Sequence, residues 1–188
     1  GLAAGETVWI VGATGASGGL AIEVARALGA ARIVAFGRGL HRWDSLLRRG
    51  ATKVIGLDDH DALAASVEEE AHAAPPGVVL DYLWGAPAEG VLSGLARAHL
   101  TTGCRWVQIG SVAGDRALVP AALLRASPVT LIGSGIGSVA IPELVKSVGE
   151  LMARADAFSI DFVTAPLDGV AAAWTRPERV VLDMRPGR

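Results

Sequence analysis

Short apolar runs alternate along this chain with longer stretches in which apolar residues recur every three or four positions. The first apolar run covers residues 7–11 and leads into a glycine-rich segment, after which residues 20–28 repeat apolar side chains at helical spacing and stop at Gly29. A short continuous apolar run is typical of a strand buried on both faces, whereas a period of 3.6 residues indicates an amphipathic helix. The chain therefore begins with a predicted strand, turn and helix.

The same alternation continues through most of the sequence. The predicted strands cover residues 32–36, 53–57, 78–83, 105–109 and 129–132, and the predicted helices cover residues 42–49, 61–73 and 87–100. Strands and helices that alternate with short turns indicate a Rossmann-type α/β fold, with a doubly wound parallel sheet and helices on both faces. Ligands of such sheets lie at the carboxyl ends of the strands, so the residues that follow each strand are the candidate site.

Glycine recurs at every third position directly after the first strand, at Gly12, Gly15 and Gly18. In a strand–turn–helix unit, such glycines permit a sharp turn, close approach of a pyrophosphate and tight packing of the helix on the strand. The helix N-terminus adds unpaired N–H groups that suit an anion. The candidate phosphate-binding residues are Gly12, Thr14, Gly15, Ala16, Ser17 and Gly18.

The second strand ends at Gly37 and Arg38, where a chain that binds NAD usually carries an acid for the ribose 2′-hydroxyl. Arg38 stands in its place, with His41 and Arg42 just behind. Because a guanidinium can bind a 2′-phosphate that a carboxylate would repel, this pattern favours NADP(H), with Gly37, Arg38 and Arg42 as candidate contacts. The alternative is that these basic residues only form a solvated helix start.

Composition narrows the range of partners. The chain has 188 residues, 51% of them hydrophobic, and a formal net charge of −2, which gives no reason to expect binding to nucleic acid or to an anionic membrane. No apolar stretch reaches the roughly 18 residues that a membrane helix needs. Cys104 is the single cysteine, so no internal disulfide can form and the sequence is compatible with a cytoplasmic protein.

Chemistry within the chain itself is sparse. Tyr82 is followed four positions later by Ala86, so the Tyr-x-x-x-Lys pair of short-chain dehydrogenases is absent. The acidic run that begins at Asp58 is interpreted as a strand-end turn and a helix N-cap rather than a metal site. Asp81 is expected to be a hydrogen-bonded residue of a central strand. We therefore predict no catalytic residue and no metal site in this chain.

Five segments together resemble the cofactor-binding lobe of the medium-chain dehydrogenase/reductase superfamily, especially its zinc-independent quinone oxidoreductase and enoyl reductase branch. They read ETVWIVGATGASGGLAIEVARALG, RRGATKVIGLDD, VVLDYLWG, RWVQIGS and PAALLRASPVTLIGSG, in that order. The resemblance implies an NADPH-dependent reductase that transfers hydride to an activated double bond, carbonyl or quinone of a small molecule. It also implies that the nicotinamide end of the cofactor lies near Ile109, Gly110, Ser111, Gly133, Ser134 and Gly135, and that its ribose lies near Leu83, Trp84 and Gly85.

The resemblance also suggests how the chain is organised. Residues 1–155 would form the NADP(H)-binding domain, and residues 156–188 a return segment that packs toward an N-terminal catalytic lobe. In that segment, residues 160–163, 165–174 and 179–182 resemble the closing strand, helix and strand of the family. Only eleven residues precede Gly12, so the chain is expected to be the cofactor lobe of a longer parent. The strand Val129–Gly133 resembles the edge through which family members form homodimers.

Two other functions fit the same residues. The chain could be a non-catalytic NADPH-binding module, which would bind cofactor tightly without turnover even in the complete parent. It could also be a degenerate domain that dimerises and binds no nucleotide.

Overall fold

The structure, a computed structural model, describes residues 2–176 and 178–185, with the side chains of residues 40, 60 and 61 left out. The strands are β1 (Thr7–Val11), β2 (Arg32–Gly37), β3 (Lys53–Gly56), β4 (Val78–Asp81), β5 (Cys104–Gln108), β6 (Val129–Gly133), β7 (Val163–Pro166) and β8 (Val180–Asp183). The helices are α1 (Ala16–Ala27), α2 (Trp43–Arg49), α3 (His60–Ala73), α4 (Gly85–Ala98), α5 (Ala121–Ala126), α6 (Ile141–Met152) and α7 (Val170–Ala173). Short 3₁₀ turns cover Leu40–Arg42, Ala155–Ala157 and Leu167–Gly169.

The first six strands form one parallel sheet in the order β3-β2-β1-β4-β5-β6. This is the Rossmann-type order, so the predicted fold class is confirmed. The strand order reverses between β1 and β4, and the carboxyl ends of these two strands therefore flank the crevice in which such sheets bind ligands.

The sheet buries a core on each face. On one face Trp9, Phe36 and Trp106 are fully buried against α3, α4 and α5, and the rings of Trp9 and Phe36 lie 5.3 Å apart. On the other face Ile10 and Ile33 pack against α1 and α2. Covering both faces explains the continuous apolar runs that the sequence shows in these strands.

Ion pairs join the elements at the amino ends of the strands. The buried carboxylate of Glu70 on α3 lies 2.7 Å from both Arg32 Nε and Lys53 Nζ, which are carried by the first residues of β2 and β3. Glu6, just before β1, pairs with Arg105 near the start of β5. This end of the sheet is therefore held by side-chain charge as well as by the core.

The last part of the chain forms a separate compact unit from Ser159 onward, in which β7 and β8 pair in parallel. The tail elements differ from their predicted positions. The strand predicted over residues 160–163 begins only at Val163, and the helix predicted over residues 165–174 is confined to Val170–Ala173. Pro166 explains why the helix begins later, because a proline disfavours helical backbone in the residue before it and is itself extended here, with φ −67° and ψ 156°.

Candidate functional site

The glycine-rich turn after β1 makes close contacts that only glycine permits. Gly12 has φ +94°, and the N–H groups of Gly12 and Ala13 both donate to the Phe36 carbonyl oxygen, at 3.0 and 2.9 Å. A Cβ at Gly18 would lie 2.3 Å from the Gly12 carbonyl oxygen and 2.8 Å from the Ala13 Cα. The first turn of α1 therefore lies directly on the backbone that leaves β1, which is the packing expected of the third glycine.

The N-terminus of α1 has no side-chain cap. Gly15 is the N-cap residue, and the first helical hydrogen bond runs from Gly19 N to the Gly15 carbonyl oxygen at 2.8 Å. The N–H groups of Ala16, Ser17 and Gly18 precede that bond, and the first turn contains no acidic residue. Unpaired N–H groups and the positive end of the helix dipole suit a phosphate at this position.

The end of β2 lies beside this turn. A Cβ at Gly37 would lie 2.6 Å from Thr14 Cγ2, and Arg42 Nη1 donates to the Thr14 carbonyl oxygen at 3.3 Å. Arg38 is exposed and makes no ion pair among the described residues. The structure thus brings Arg42 into contact with the predicted phosphate turn, and Arg38 directly follows Gly37, which lies beside that turn.

An acidic residue does lie near this basic loop, although it belongs to the segment after β3 rather than to the end of β2. Asp58 Oδ2 accepts a long hydrogen bond, 3.5 Å, from the Gly39 N–H. Asp59 caps α3 by accepting from Ala62 N at 3.0 Å, as the N-cap interpretation of this acidic run predicted. The rest of that run, His60 and Asp61, has side chains outside the described part of the structure.

The turn between β4 and α4 is built around Asp81, whose side chain is fully buried. Its Oδ1 accepts hydrogen bonds from Leu83 N at 2.9 Å and Trp84 N at 3.0 Å. Burial raises the pKa of the Asp81 carboxyl above its usual value, although the N–H groups of Trp84 and Leu83 and the indole of Trp106 oppose the rise. Neither Asp81 Oδ2 nor Trp106 Nε1 makes a hydrogen bond of good geometry with the described residues. The expectation of a hydrogen-bonded Asp81 therefore holds for one oxygen only.

A groove of about 460 Å³ lies at the carboxyl ends of β5 and β6 and beside the turn that follows β4. Its lining residues are Trp84, Trp106, Gln108, Ser111, Asp115, Leu131, Ile132 and Gly133. Three of these, Trp84, Ser111 and Gly133, were predicted as cofactor contacts from three separate segments, and the fold brings them together. Trp106, Gln108 and Leu131 were missed. The register pairs Trp106 with Leu131 and Gln108 with Gly133, and a two-residue alternation along β5 and β6 is the signal that could have found them.

Other predicted residues of this region shape the backbone around the groove. The N–H groups of Ile109 and Gly110 donate to the Asp81 carbonyl oxygen at 2.8 and 3.1 Å, and a Cβ at Gly110 would lie 2.4 Å from the Tyr82 carbonyl oxygen. Ser134 N donates to the Gln108 carbonyl oxygen at 2.8 Å, and Gly135 N donates to Ser138 Oγ at 2.8 Å.

Leu83 lies between the glycine-rich turn and the groove. A Cβ at Gly12 would come within 2.9 Å of Leu83 Cγ, and Leu83 is followed directly by Trp84, which lines the groove. The phosphate turn and the groove are therefore neighbours along one edge of the sheet.

Two searches of the described residues gave negative results. Among the side chains that the structure describes, which exclude those of residues 60 and 61, no three His, Cys, Asp or Glu groups are placed together as metal ligands would be. Within the same ranges, every helix is too short or too polar to cross a lipid bilayer.

Comparison with known proteins finds relatives along nearly the whole chain. No family model matches it. It is 30% identical over 200 residues to the probable NADPH-dependent quinone reductase tdiC of Emericella nidulans, covering 95% of this chain and 54% of that protein. Among solved structures, the quinone oxidoreductase of Thermus thermophilus, also solved with NADPH, is 26% identical with a TM-score of 0.68, covering 92% of this chain and 54% of its own.

A mycobacterial quinone oxidoreductase shares the fold, with 19% identity and a TM-score of 0.76, over 96% of this chain and 57% of its own. The chain thus spans about half the length of the relatives it matches.

Proposed function

We propose that the chain is the cofactor-binding lobe of a medium-chain dehydrogenase/reductase, and that it binds NADP(H) within an oxidoreductase that acts on a small molecule. The reaction would transfer hydride to an activated double bond, carbonyl or quinone. The observation that carries this proposal is the uncapped N-terminus of α1, packed on β1 through Gly18 and flanked by Arg38 and Arg42.

The residues fit the parts of a dinucleotide phosphate in order along the sheet edge. The pyrophosphate would lie against Gly12, Thr14, Gly15, Ala16, Ser17 and Gly18, and the 2′-phosphate against Gly37, Arg38 and Arg42. The nicotinamide end would lie against Leu83, Trp84, Gly85, Ile109, Gly110, Ser111, Gly133, Ser134 and Gly135. When bound, the nicotinamide supplies the hydride, and the protein orients it and limits access of water.

Arg38 decides cofactor choice in this proposal. Replacing it, Arg38→Ala, removes a charge-assisted contact worth about 1.5–3 kcal/mol, so NADPH affinity should fall at least tenfold while NADH affinity stays the same. Calorimetric titration with each nucleotide measures both values. Arg48→Ala is the matched control, because Arg48 is an exposed arginine in the last turn of α2.

Asp58 supplies a second and opposite test of the same loop. Its carboxylate lies next to the proposed 2′-phosphate position, so Asp58→Asn should tighten NADPH binding and leave NADH binding unchanged. Equal losses for both nucleotides in Arg38→Ala, or NADH bound as tightly as NADPH by the unchanged chain, would overturn the proposed preference.

We also propose that the chain forms a homodimer through β6. This strand is the outer edge of the sheet, and Thr130, Leu131 and Ile132 are exposed there. An unpaired edge of this kind can continue the sheet into a second copy. Light scattering at micromolar concentration should give twice the 19.2 kDa of one chain, and a monomer would contradict the proposal.

For the remainder of the chain we propose that residues 1–155 form the nucleotide-binding domain and residues 156–188 pack toward a catalytic lobe. Support comes from large apolar side chains that are exposed in the tail, among them Phe162 at 55%, Trp174 at 86% and Val181 at 45%.

The buried free thiol of Cys104 suits a reducing compartment, and we propose that the protein acts in the cytoplasm.

A further inference from the structure

Trp84 has a backbone conformation that its residue type rarely adopts. It has φ +55° and ψ −164°, and His99, with φ +50° and ψ +63°, is the other non-glycine residue at positive φ in the described chain. His99 lies in the ordinary left-handed region at the end of α4. Trp84 lies near a region that is essentially restricted to glycine, so its side chain makes this backbone conformation strained. A tryptophan is therefore held at a position where glycine would be unstrained.

Several independent contacts hold this strained turn in place. Asp81 Oδ1 accepts the N–H groups of both Leu83 and Trp84. The Leu83 carbonyl oxygen accepts from Ala113 N at 2.9 Å, and a Cβ at Gly85 would lie 2.8 Å from the Ala113 carbonyl oxygen. The Asp81 side chain and the loop after β5 thus both hold this turn by hydrogen bonds. The turn cannot relax without breaking them.

The strained residue contributes an aromatic surface to the groove. Trp84 lines it together with Trp106 and Leu131, while Gln108 and Ser111 supply the polar groups. Trp84 is only partly buried: it packs against the margin of the core and leaves part of its surface open to the groove. A wide π surface beside a few polar groups is what a planar conjugated ring requires for stacking and orientation.

We propose that Trp84 determines ligand specificity by stacking its indole on a planar conjugated ring in this groove, and that Asp81 is the residue that positions it. The ring is either the nicotinamide of the cofactor or the conjugated ring of an acceptor such as a quinone. This inference rests on the proposed function in that both rings belong to its reaction. The inference adds to that function a named side chain that contacts the ring, and it gives a reason for the strained backbone of Trp84.

The test uses the whole 188-residue chain and three ligands that separate the parts of the site. NADPH carries both phosphates and the nicotinamide, 2′,5′-ADP carries phosphates without the nicotinamide, and 1,4-naphthoquinone is a planar acceptor. In Trp84→Leu, affinity for the ring that stacks should fall about three- to tenfold, as expected for an aromatic pair. Affinity for 2′,5′-ADP should be unchanged, and Trp84→Phe should restore most of the lost affinity.

Asp81 is tested by the same titrations. Asp81→Ala removes the acceptor of both N–H groups and should reproduce the selective loss seen in Trp84→Leu. Asp81→Asn keeps an acceptor oxygen and should bind the ring-bearing ligand nearly as the unchanged chain does. Thermal unfolding of each variant shows whether it is folded, and Trp84→Phe decides the question if Asp81→Ala is not.

The outcomes separate this inference from the proposed function. A loss limited to NADPH assigns the nicotinamide ring, and a loss limited to the naphthoquinone assigns the acceptor ring. Unchanged ring affinity in Trp84→Leu, or equal losses for all three ligands, overturns the stacking role while nucleotide binding stands. If the unchanged chain binds neither NADPH nor 2′,5′-ADP, the proposed function fails. If it binds neither ring-bearing ligand, the stacking inference fails as well.

Discussion

Glu70 and Asp81 are both fully buried carboxylates, and they stand at opposite ends of the same parallel sheet. At the amino ends of the strands, burial raises the pKa of Glu70, but hydrogen bonds and charges from Arg32 and Lys53 outweigh it and the pKa is lowered. At the carboxyl ends, burial dominates and the pKa of Asp81 is raised. The Glu70 carboxylate is paired with two cations, whereas the Asp81 carboxyl is held by backbone N–H groups and forms no ion pair with the described residues.

The two shifts have opposite effects on stability. A lowered pKa means that Glu70 contributes stability above its unfolded value of 4.5 and loses it as the pH falls through the folded value. A raised pKa means that Asp81 is best accommodated below its unfolded value of 3.8 and becomes a cost as the pH rises through the folded value. At neutral pH the Glu70 end of the sheet therefore stabilises the fold, whereas the Asp81 end carries a strained turn and a buried carboxyl whose ionisation is opposed by burial, as ligand sites commonly do.

The largest effect should come from adding one methyl group at Gly18, beside the carboxyl end of β1. In Gly18→Ala the new Cβ would meet backbone atoms at 2.3 and 2.8 Å that cannot rotate away, so α1 must move off β1. We expect a loss of about 1–3 kcal/mol or more in unfolding free energy and loss of NADPH binding. Urea unfolding and calorimetry measure the two effects.

Gly103→Ala is the matched control for that variant, because nothing lies within 4 Å of a Cβ at Gly103. It should unfold and bind like the unchanged chain. If Gly18→Ala keeps its NADPH affinity, close packing of the glycine-rich turn is not what forms the phosphate site.

A medium effect, on the free energy of unfolding alone, is expected at the amino ends of the strands, where Glu70 pairs with Arg32 and Lys53. Glu70→Gln removes the charge that pairs with Arg32 and Lys53, and because both cations can still reach water, the cost should be about 1–3 kcal/mol at pH 7. The difference from the unchanged chain should shrink as the pH falls below 4.5, where Glu70 gains its proton in the unfolded state and then in the folded state. NADPH affinity should not change. A pH series of urea unfolding curves tests this, and a difference that is constant with pH would count against the ion pairs.

The smallest effect concerns Cys104, the first residue of β5. Burial raises the pKa of its thiol to about 12, and the side chain is 1% exposed. Because the thiolate is the reactive form, the folded chain should resist iodoacetamide at pH 8 and react only after urea unfolding. Mass spectrometry over time measures the labelling. Rapid labelling of the folded chain would show that the sheet opens at the start of β5.

The sequence predicts one part of this site better than the other. The phosphate turn is local, since Gly12, Gly15 and Gly18 lie between one strand and the helix that follows it, and their spacing alone indicates their packing. The doubly wound parallel sheet follows from the regular alternation of strands and helices. The groove depends instead on which residues of β5 and β6 lie side by side, and this register is set by tertiary pairing.

Two further features could not be predicted from pattern. The strain at Trp84 is a backbone property imposed by Asp81 and by the loop after β5, and no periodicity records it. In the tail, apolar residues were assigned to a strand and a helix on the basis of composition and resemblance. The extended backbone of Pro166 delays the helix, and the preceding strand begins three residues later than predicted.

The contrast between the amino and carboxyl ends of the sheet is tested most directly by hydrogen–deuterium exchange with and without saturating NADPH. If the carboxyl ends form the nucleotide site, exchange should slow in residues 12–18, 37–42 and 82–85. It should stay unchanged at the starts of β2 and β3, next to Glu70. Protection confined to the amino ends, or no protection at any segment, would contradict the assignment of the two ends.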